Sequence, residues 1–251
     1  MLIVLYHIPE RVCDIIACVS GIIVVIPAFE PDSRLPQLIG RLKTDFRDFI
    51  VVDDGSHAAT AIFDCLRGVG GVTLLVHDRN RGKGAALKTA FAEVLRSFPD
   101  ATGVVTVDAD GQHLPEDVIR IAESLSVNPD RLTLGVRTFG PGIPFRSKLG
   151  NLWTLGEFHL LTGHSVRDTQ SGLRGIPRKL LPTLLEIPGD RYDYEIRMLV
   201  RAVRQLDGIV QVPITTVYER GNATSHFRPL ADTLSTQRAL IAEALTARCG
   251  S

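Results

Sequence analysis

Five runs of consecutive apolar, largely β-branched residues set the strongest limit on what this chain can fold into: Ile22-Ile23-Val24-Val25-Ile26, Phe49-Ile50-Val51-Val52, Val72-Thr73-Leu74-Leu75-Val76, Gly103-Val104-Val105-Thr106-Val107 and Leu132-Thr133-Leu134-Gly135-Val136. A strand with one wet face alternates polar and apolar residues, so a run apolar throughout belongs to a strand covered on both faces. Segments with helical spacing separate the runs: Leu35, Leu38, Ile39 and Leu42 after a capping Asp32-Ser33; Ile62, Phe63 and Leu66; then Leu87, Ala90, Phe91, Val94 and Leu95. Pro115 followed by Glu116 and Asp117 opens another. Alternating strand and helix predicts an α/β fold, a doubly wound and mostly parallel sheet flanked by helices.

From Thr138 the periodicity loosens. Residues 139–144 read as a loop, Ser147 to Leu161 as a helix closed by Gly163, and Glu195, Ile196, Met198, Leu199 and Val203 as one face of another helix. Ile209 to Val217 reads as a strand that Pro213 confines to an edge. Residues 229–247 read as an amphipathic helix with Leu230, Leu234, Ile241 and Leu245 along a stripe that can pack on the body or meet a membrane or partner. No repeat or linker divides the chain, so 1–251 is read as a single domain, with 1–20 as an N-terminal extension.

Lys+Arg and Asp+Glu both number 28, which leaves no basic excess for nucleic acid and requires local cations for any anionic ligand. The four cysteines form no C-x-x-C pair, as expected of reduced thiols in the cytoplasm. The apolar start Met1 to Tyr6 is too short to span a membrane and lacks the basic start of a signal peptide. A protein of this kind that works at a membrane lies on it or is held there by a partner.

Acidic groups follow several of the strands: Glu30 after the first, Asp53 and Asp54 after the second, Asp108 and Asp110 after the fourth. Strand ends of an open α/β sheet line one crevice, where ligands bind. Asp108-Ala109-Asp110-Gly111 can place two carboxylates on one hard cation whose remaining shell is filled by substrate phosphates, or can be a solvated turn. Asp53 and Asp54 can accept from a base N–H or ribose hydroxyls, or cap the next helix. Asn80-Arg81-Gly82-Lys83-Gly84 lacks Walker spacing, yet its glycines admit an anion to the backbone and Lys83 stands beside a helix N-terminus.

Ile26-Pro27-Ala28-Phe29-Glu30, Val51 to Ser56, Asn80 to Gly84, Asp108 to His113, Asp168 to Arg174, Tyr192 to Glu195 and Arg220 to Phe227 occur in one order across residues 22–245. Together they resemble the family 2 inverting glycosyltransferases, particularly the dolichyl- or polyprenyl-phosphate sugar transferase branch. The resemblance implies a GT-A fold, Rossmann-like, that binds a nucleotide-sugar donor of the UDP-glucose or GDP-mannose type and Mg2+ or Mn2+. By that resemblance Pro27, Ala28, Phe29, Glu30, Asp53 and Asp54 lie at the base and ribose, and Lys83 and Arg220 at the diphosphate. Asp108 and Asp110 are the metal aspartates, with Gln112 an additional metal-side ligand. Phe29 stands where tyrosine is commoner and keeps the stacking face.

On the acceptor side the resemblance places Arg137 and Arg146 at an acceptor phosphate. Asp168 is the base candidate if the acceptor is a hydroxyl, or else holds the turn that follows it. The implied reaction moves a hexose to polyprenyl phosphate at the cytoplasmic membrane face. A hydroxyl acceptor, or nucleotide-sugar binding without catalysis, are the alternatives. Gly221 to Phe227 looks like the subgroup often joined to a GtrA-type membrane domain, so a separate small membrane protein is a candidate partner.

Overall fold

The computed structural model describes residues 19–137, 145–191, 193–215 and 238–243, with 145–153 as helix backbone. The five apolar runs form strands β1 (Ile22–Ala28), β2 (Phe49–Asp53), β3 (Val72–Val76), β4 (Gly103–Thr106) and β5 (Leu132–Arg137), and β6 (Arg174–Pro177) and β7 (Ile209–Ile214) complete a sheet ordered β3-β2-β1-β4-β6-β5-β7. All pairings are parallel except those of β6, which runs antiparallel to β4 and β5. β7 lies at the edge and tolerates Pro213, as its proline requires.

Helices α1 (Arg34–Leu42), α2 (Thr60–Arg67), α3 (Lys83–Ser97) and α4 (Pro115–Val127) connect the first five strands. α5 (Phe145–Thr162), α6 (Leu181–Glu186) and α7 (Asp193–Gln205) follow. The two-faced burial read from the runs is visible within β1: Ile23 and Val25 join one core cluster, Ile22, Val24 and Ile26 the other. Burying each such side chain contributes about 1.5–3 kcal/mol.

Carboxylates secure helix starts from both near and far in the sequence. Asp32 rather than Ser33 takes the Arg34 amide at the head of α1 (2.9 Å). Ahead of α2, Glu30 reaches across from the end of β1 to accept the amides of His57 (2.7 Å) and Ala58 (3.1 Å). The His57 amide, more than slight burial opposes it, holds the Glu30 carboxyl below its ordinary range. In the helical segment 238–243, Ala239 and Leu240 are buried, and Glu243 bonds Arg197 (3.3 Å) and Arg201 of α7. Ile241, the one residue of the expected stripe among the described residues, is 43% exposed. Leu230, Leu234 and Leu245 lie outside the described residues, as do the N-terminal extension through residue 18, the 139–144 loop and the 220–227 block. Among the described residues no helix is long and apolar enough to cross a membrane.

Candidate active site

The parallel strands β1, β2, β4 and β5 deliver their C-terminal ends to one edge, and with them Ala28, Asp53, Asp108 and Arg137. β6 runs the other way, so it is its beginning that lies at this edge: Arg174 pairs with Thr106 and Leu134, and the preceding segment 168–173 is carried to the same place. This one reversed strand brings the Asp168–Arg174 block to the carboxylates.

At the centre is the Lys83 ammonium, 2.7 Å from Asp108 Oδ1 and 3.0 Å from Glu195 Oε1. Burial pushes the Lys83 pKa down, but the two carboxylates outweigh it and hold the ammonium above its ordinary range. For Asp108 burial pushes up, while Lys83 and then His113 (Nε2 3.4 Å from Oδ2) hold the carboxyl well below its ordinary range. Arg174 is fully buried behind this cluster. It donates to the carbonyls of Ser171 (2.9 Å), Glu195 (2.6 Å) and Thr169 (3.3 Å), so it locks the segment before β6 onto the first turn of α7.

Asp110 is the more open of the pair. Its Oδ1 accepts the Gln112 amide (3.0 Å), so Gln112 meets Asp110 through its backbone. Burial, then the charge on Asp108, pushes the Asp110 carboxyl above its ordinary range. A carboxylate disfavoured in this way gains from a nearby cation. Among the described residues no three His, Cys, Asp or Glu side chains gather into a closed metal site. Two hard oxygen donors with substrate oxygens filling the shell suit Mg2+ or Mn2+, and Asp108 and Asp110 fit that pattern.

Gly172 makes the cluster possible. A Cβ there would stand 2.4 Å from Asp108 Oδ2, and Thr106 Oγ1 fixes the Gly172 carbonyl at 2.7 Å. Gly172→Ala is expected to push Asp108 off Lys83, lowering transfer at least about tenfold and stability by about 1–3 kcal/mol. A variant with unchanged activity and melting temperature would contradict this packing.

Asp53 accepts the Ser56 amide through Oδ1 (2.8 Å), and Ser56 Oγ in turn accepts the Glu30 amide (2.8 Å), so the ends of β1 and β2 are tied together. Asp54 points the other way: its oxygens take the amides of Arg81 (2.9 Å) and Gly82 (2.7 Å). Gly82 has φ +103°, and a Cβ there would meet the Asp190 carbonyl at 2.3 Å, so the loop carrying Lys83 is pressed against the approach to α7. Pro27, Ala28 and Phe29 line the same strand end.

Asp168 is fully buried. Its oxygens accept Arg137 Nε (2.6 Å), Arg137 Nη2 (2.9 Å) and the Gln170 amide (2.9 Å). A carboxylate so engaged orients Arg137 and holds the turn that follows it. The side chains of Arg146 and Arg220 lie outside those described. Sequence reasoning gave no role to Arg174 or Gly172, although both stand in the block that carried the resemblance, and left Glu195 open.

Residues 23–184 match the family described as Glycosyl transferase family 2. The chain is 28% identical over 217 residues to the UDP-N-acetylglucosamine--dolichyl-phosphate N-acetylglucosaminyltransferase of Methanococcus voltae, covering 78% of this chain and 86% of that protein. It is 29% identical over 208 residues to the polyprenol monophosphomannose synthase of Mycolicibacterium smegmatis, covering 77% and 76%. Its fold is that of the glucosyl-3-phosphoglycerate synthase of Mycobacterium tuberculosis, solved with Mn2+, UDP and phosphoglyceric acid, at TM-score 0.68 and 22% identity over 98% of this chain and 85% of that one. With well over half of its length matched to the family and the GT-A sheet in place, the chain belongs to the family 2 glycosyltransferases.

Proposed function

We propose that the protein transfers a hexose from a nucleoside diphosphate sugar, of the UDP-glucose or GDP-mannose type, to a polyprenyl phosphate at the cytoplasmic membrane face, with inversion at the anomeric carbon. The observation that carries this reading is the Lys83 ammonium, held between Asp108 and Glu195 where α3 begins, beside the open carboxylate of Asp110. The names of the Methanococcus and Mycolicibacterium relatives support a lipid phosphate acceptor.

As the bond from the anomeric carbon to the β-phosphate oxygen breaks, negative charge grows on the departing diphosphate. Lys83 stands where it can stabilise that charge, in a site whose donors are already oriented. Mg2+ or Mn2+ bound by Asp108 and Asp110 would act as a Lewis acid on the same oxygens. The new bond forms from an acceptor phosphate oxygen on the opposite face of the sugar. A phosphate monoester carries about 1.5 to 2 negative charges near neutral pH, so it needs cations to hold it in line and no strong base. Arg137, fixed by Asp168, fits the first need.

The donor is tested by thermal shift across UDP, GDP and their hexose conjugates, with Mn2+ or Mg2+ present. A ligand of the native state raises the melting temperature by an amount set by its concentration over its dissociation constant. A metal-dependent rise with one base is the expected result. No rise with any nucleotide would remove the donor assignment.

A further inference from the structure

His77 lies just past the end of β3, its side chain 4% exposed, and its imidazole meets the proposed donor crevice at the Asp54 carboxylate. Both ring nitrogens are engaged. Nδ1 is 2.7 Å from Asp54 Oδ1 and Nε2 is 2.9 Å from Thr89 Oγ1 in α3. An ionised carboxylate only accepts, so Nδ1 carries the hydrogen that faces Asp54. The same Asp54 carboxylate takes the amides of Arg81 and Gly82. The chain of contacts thus runs from the body of α3 through imidazole and carboxylate back to the loop that opens α3. The His77 amide also bonds the Asp53 carbonyl (2.9 Å), so the backbone beneath the imidazole is fixed.

Lys83 follows Gly82 directly, and its reach to Asp108 and Glu195 depends on where that backbone lies. We propose that His77 is a positioning residue for the donor diphosphate: by orienting Asp54 it sets the backbone of Arg81 and Gly82, and through them the place of Lys83, without touching the substrate. This rests on the donor reading above. A buried carboxylate that holds two amides needs its rotamer fixed, and the imidazole is the group that fixes it. The Asp54 oxygens are taken by the imidazole and by the Arg81 and Gly82 amides, so loss of the imidazole is felt at the loop that carries Lys83, on the diphosphate side of the donor.

The test compares binding of UDP and GDP, each with Mn2+, against binding of uridine and guanosine. It uses calorimetry on wild-type protein and on His77→Ala, His77→Gln and His77→Asn. Asparagine places an amide N–H where Nδ1 stands and preserves the bond to Asp54; glutamine places it near Nε2 and does not. His77→Ala and His77→Gln are expected to weaken the preferred diphosphate by about tenfold to a hundredfold. Nucleoside binding should stay within about twofold, and His77→Asn should recover most of the loss. If His77→Ala does not fold, the comparison of Gln with Asn carries the same distinction. Equal losses for nucleoside and diphosphate, no loss at all, or a folded His77→Asn that binds no better than His77→Gln would each overturn the inference while leaving the donor reading intact. Wild-type protein that binds neither diphosphate would overturn both.

Discussion

Asp110→Asn protein is expected to transfer sugar at about a thousandth of the wild-type rate or less, a loss of ~4 kcal/mol in transition-state stabilisation. In the absence of divalent cation it should nonetheless melt at a higher temperature than wild type. The two effects share one cause. Burial and the charge on Asp108 hold the Asp110 carboxyl above its ordinary range, so ionising it opposes folding. For an acid raised in this way, the favourable contribution is complete below the ordinary value of 3.8 and is lost as pH rises through it toward the higher folded value. At neutral pH the wild type therefore carries the full deficit, and an amide at position 110 removes it while still accepting from the Gln112 amide. The advantage of the variant should narrow as pH is lowered through the carboxylate range, and Mn2+ should raise the melting temperature of wild type alone. Wild-type turnover by Asp110→Asn would refute the metal assignment. A variant less stable than metal-free wild type at pH 7 would refute the electrostatic cause.

Lys83→Met should have the largest effect on stability. It leaves Asp108 and Glu195 facing each other with the shared cation gone, and one partner removed from a buried ion pair costs about 3–5 kcal/mol. Asp108 is held below its ordinary range, so the stability it contributes is present above 3.8 and is lost as pH falls through its lower folded value. Lys83 is held above its ordinary range, so its contribution is present below 10.5 and is lost as pH rises beyond that. Wild type should therefore exceed the variant most between those limits, and the gap should close toward acid pH, where the carboxylates take up protons. Denaturant melts at pH 2.5, 7 and 11, outside and inside those limits, check this. A gap that does not change with pH would mean that Lys83 acts through packing alone. Arg174 does not replace it: the guanidinium is 4.0 Å from Glu195 Oε1 and spends its donors on backbone carbonyls.

The strands that position the site were legible because each is covered on both faces, and a continuous apolar run has few other uses. β6 was not. Its four residues, Arg174-Gly175-Ile176-Pro177, carry a charge, a glycine and a proline. They are a strand because β4 and β5 offer unpaired edges on either side, which is a tertiary fact. Its reversal decides where Asp168 to Gly172 go, so the acceptor side of the site was visible only as a block of residues. Asp108, Asp110 and Lys83 could be brought together from their places at strand ends and a helix start. The roles of Asp54 and Glu30 could not be separated from base or ribose binding, since a carboxylate that grips backbone amides is the same residue type as one that grips a ligand. Glu30 heads α2 from another strand, and Asp54 holds the Lys83 loop instead of capping the helix after it. His77 gave no signal, being a lone histidine whose carboxylate partner is 23 residues away.

The most direct measurement supplies the preferred nucleotide-sugar and Mn2+ with either a polyprenyl phosphate or the same polyprenol without its phosphate, and follows the sugar into the lipid phase. The account predicts a glycosyl phospholipid of inverted anomeric configuration from the phosphate, and none from the alcohol. Product from the alcohol, with none from the phosphate, would contradict it.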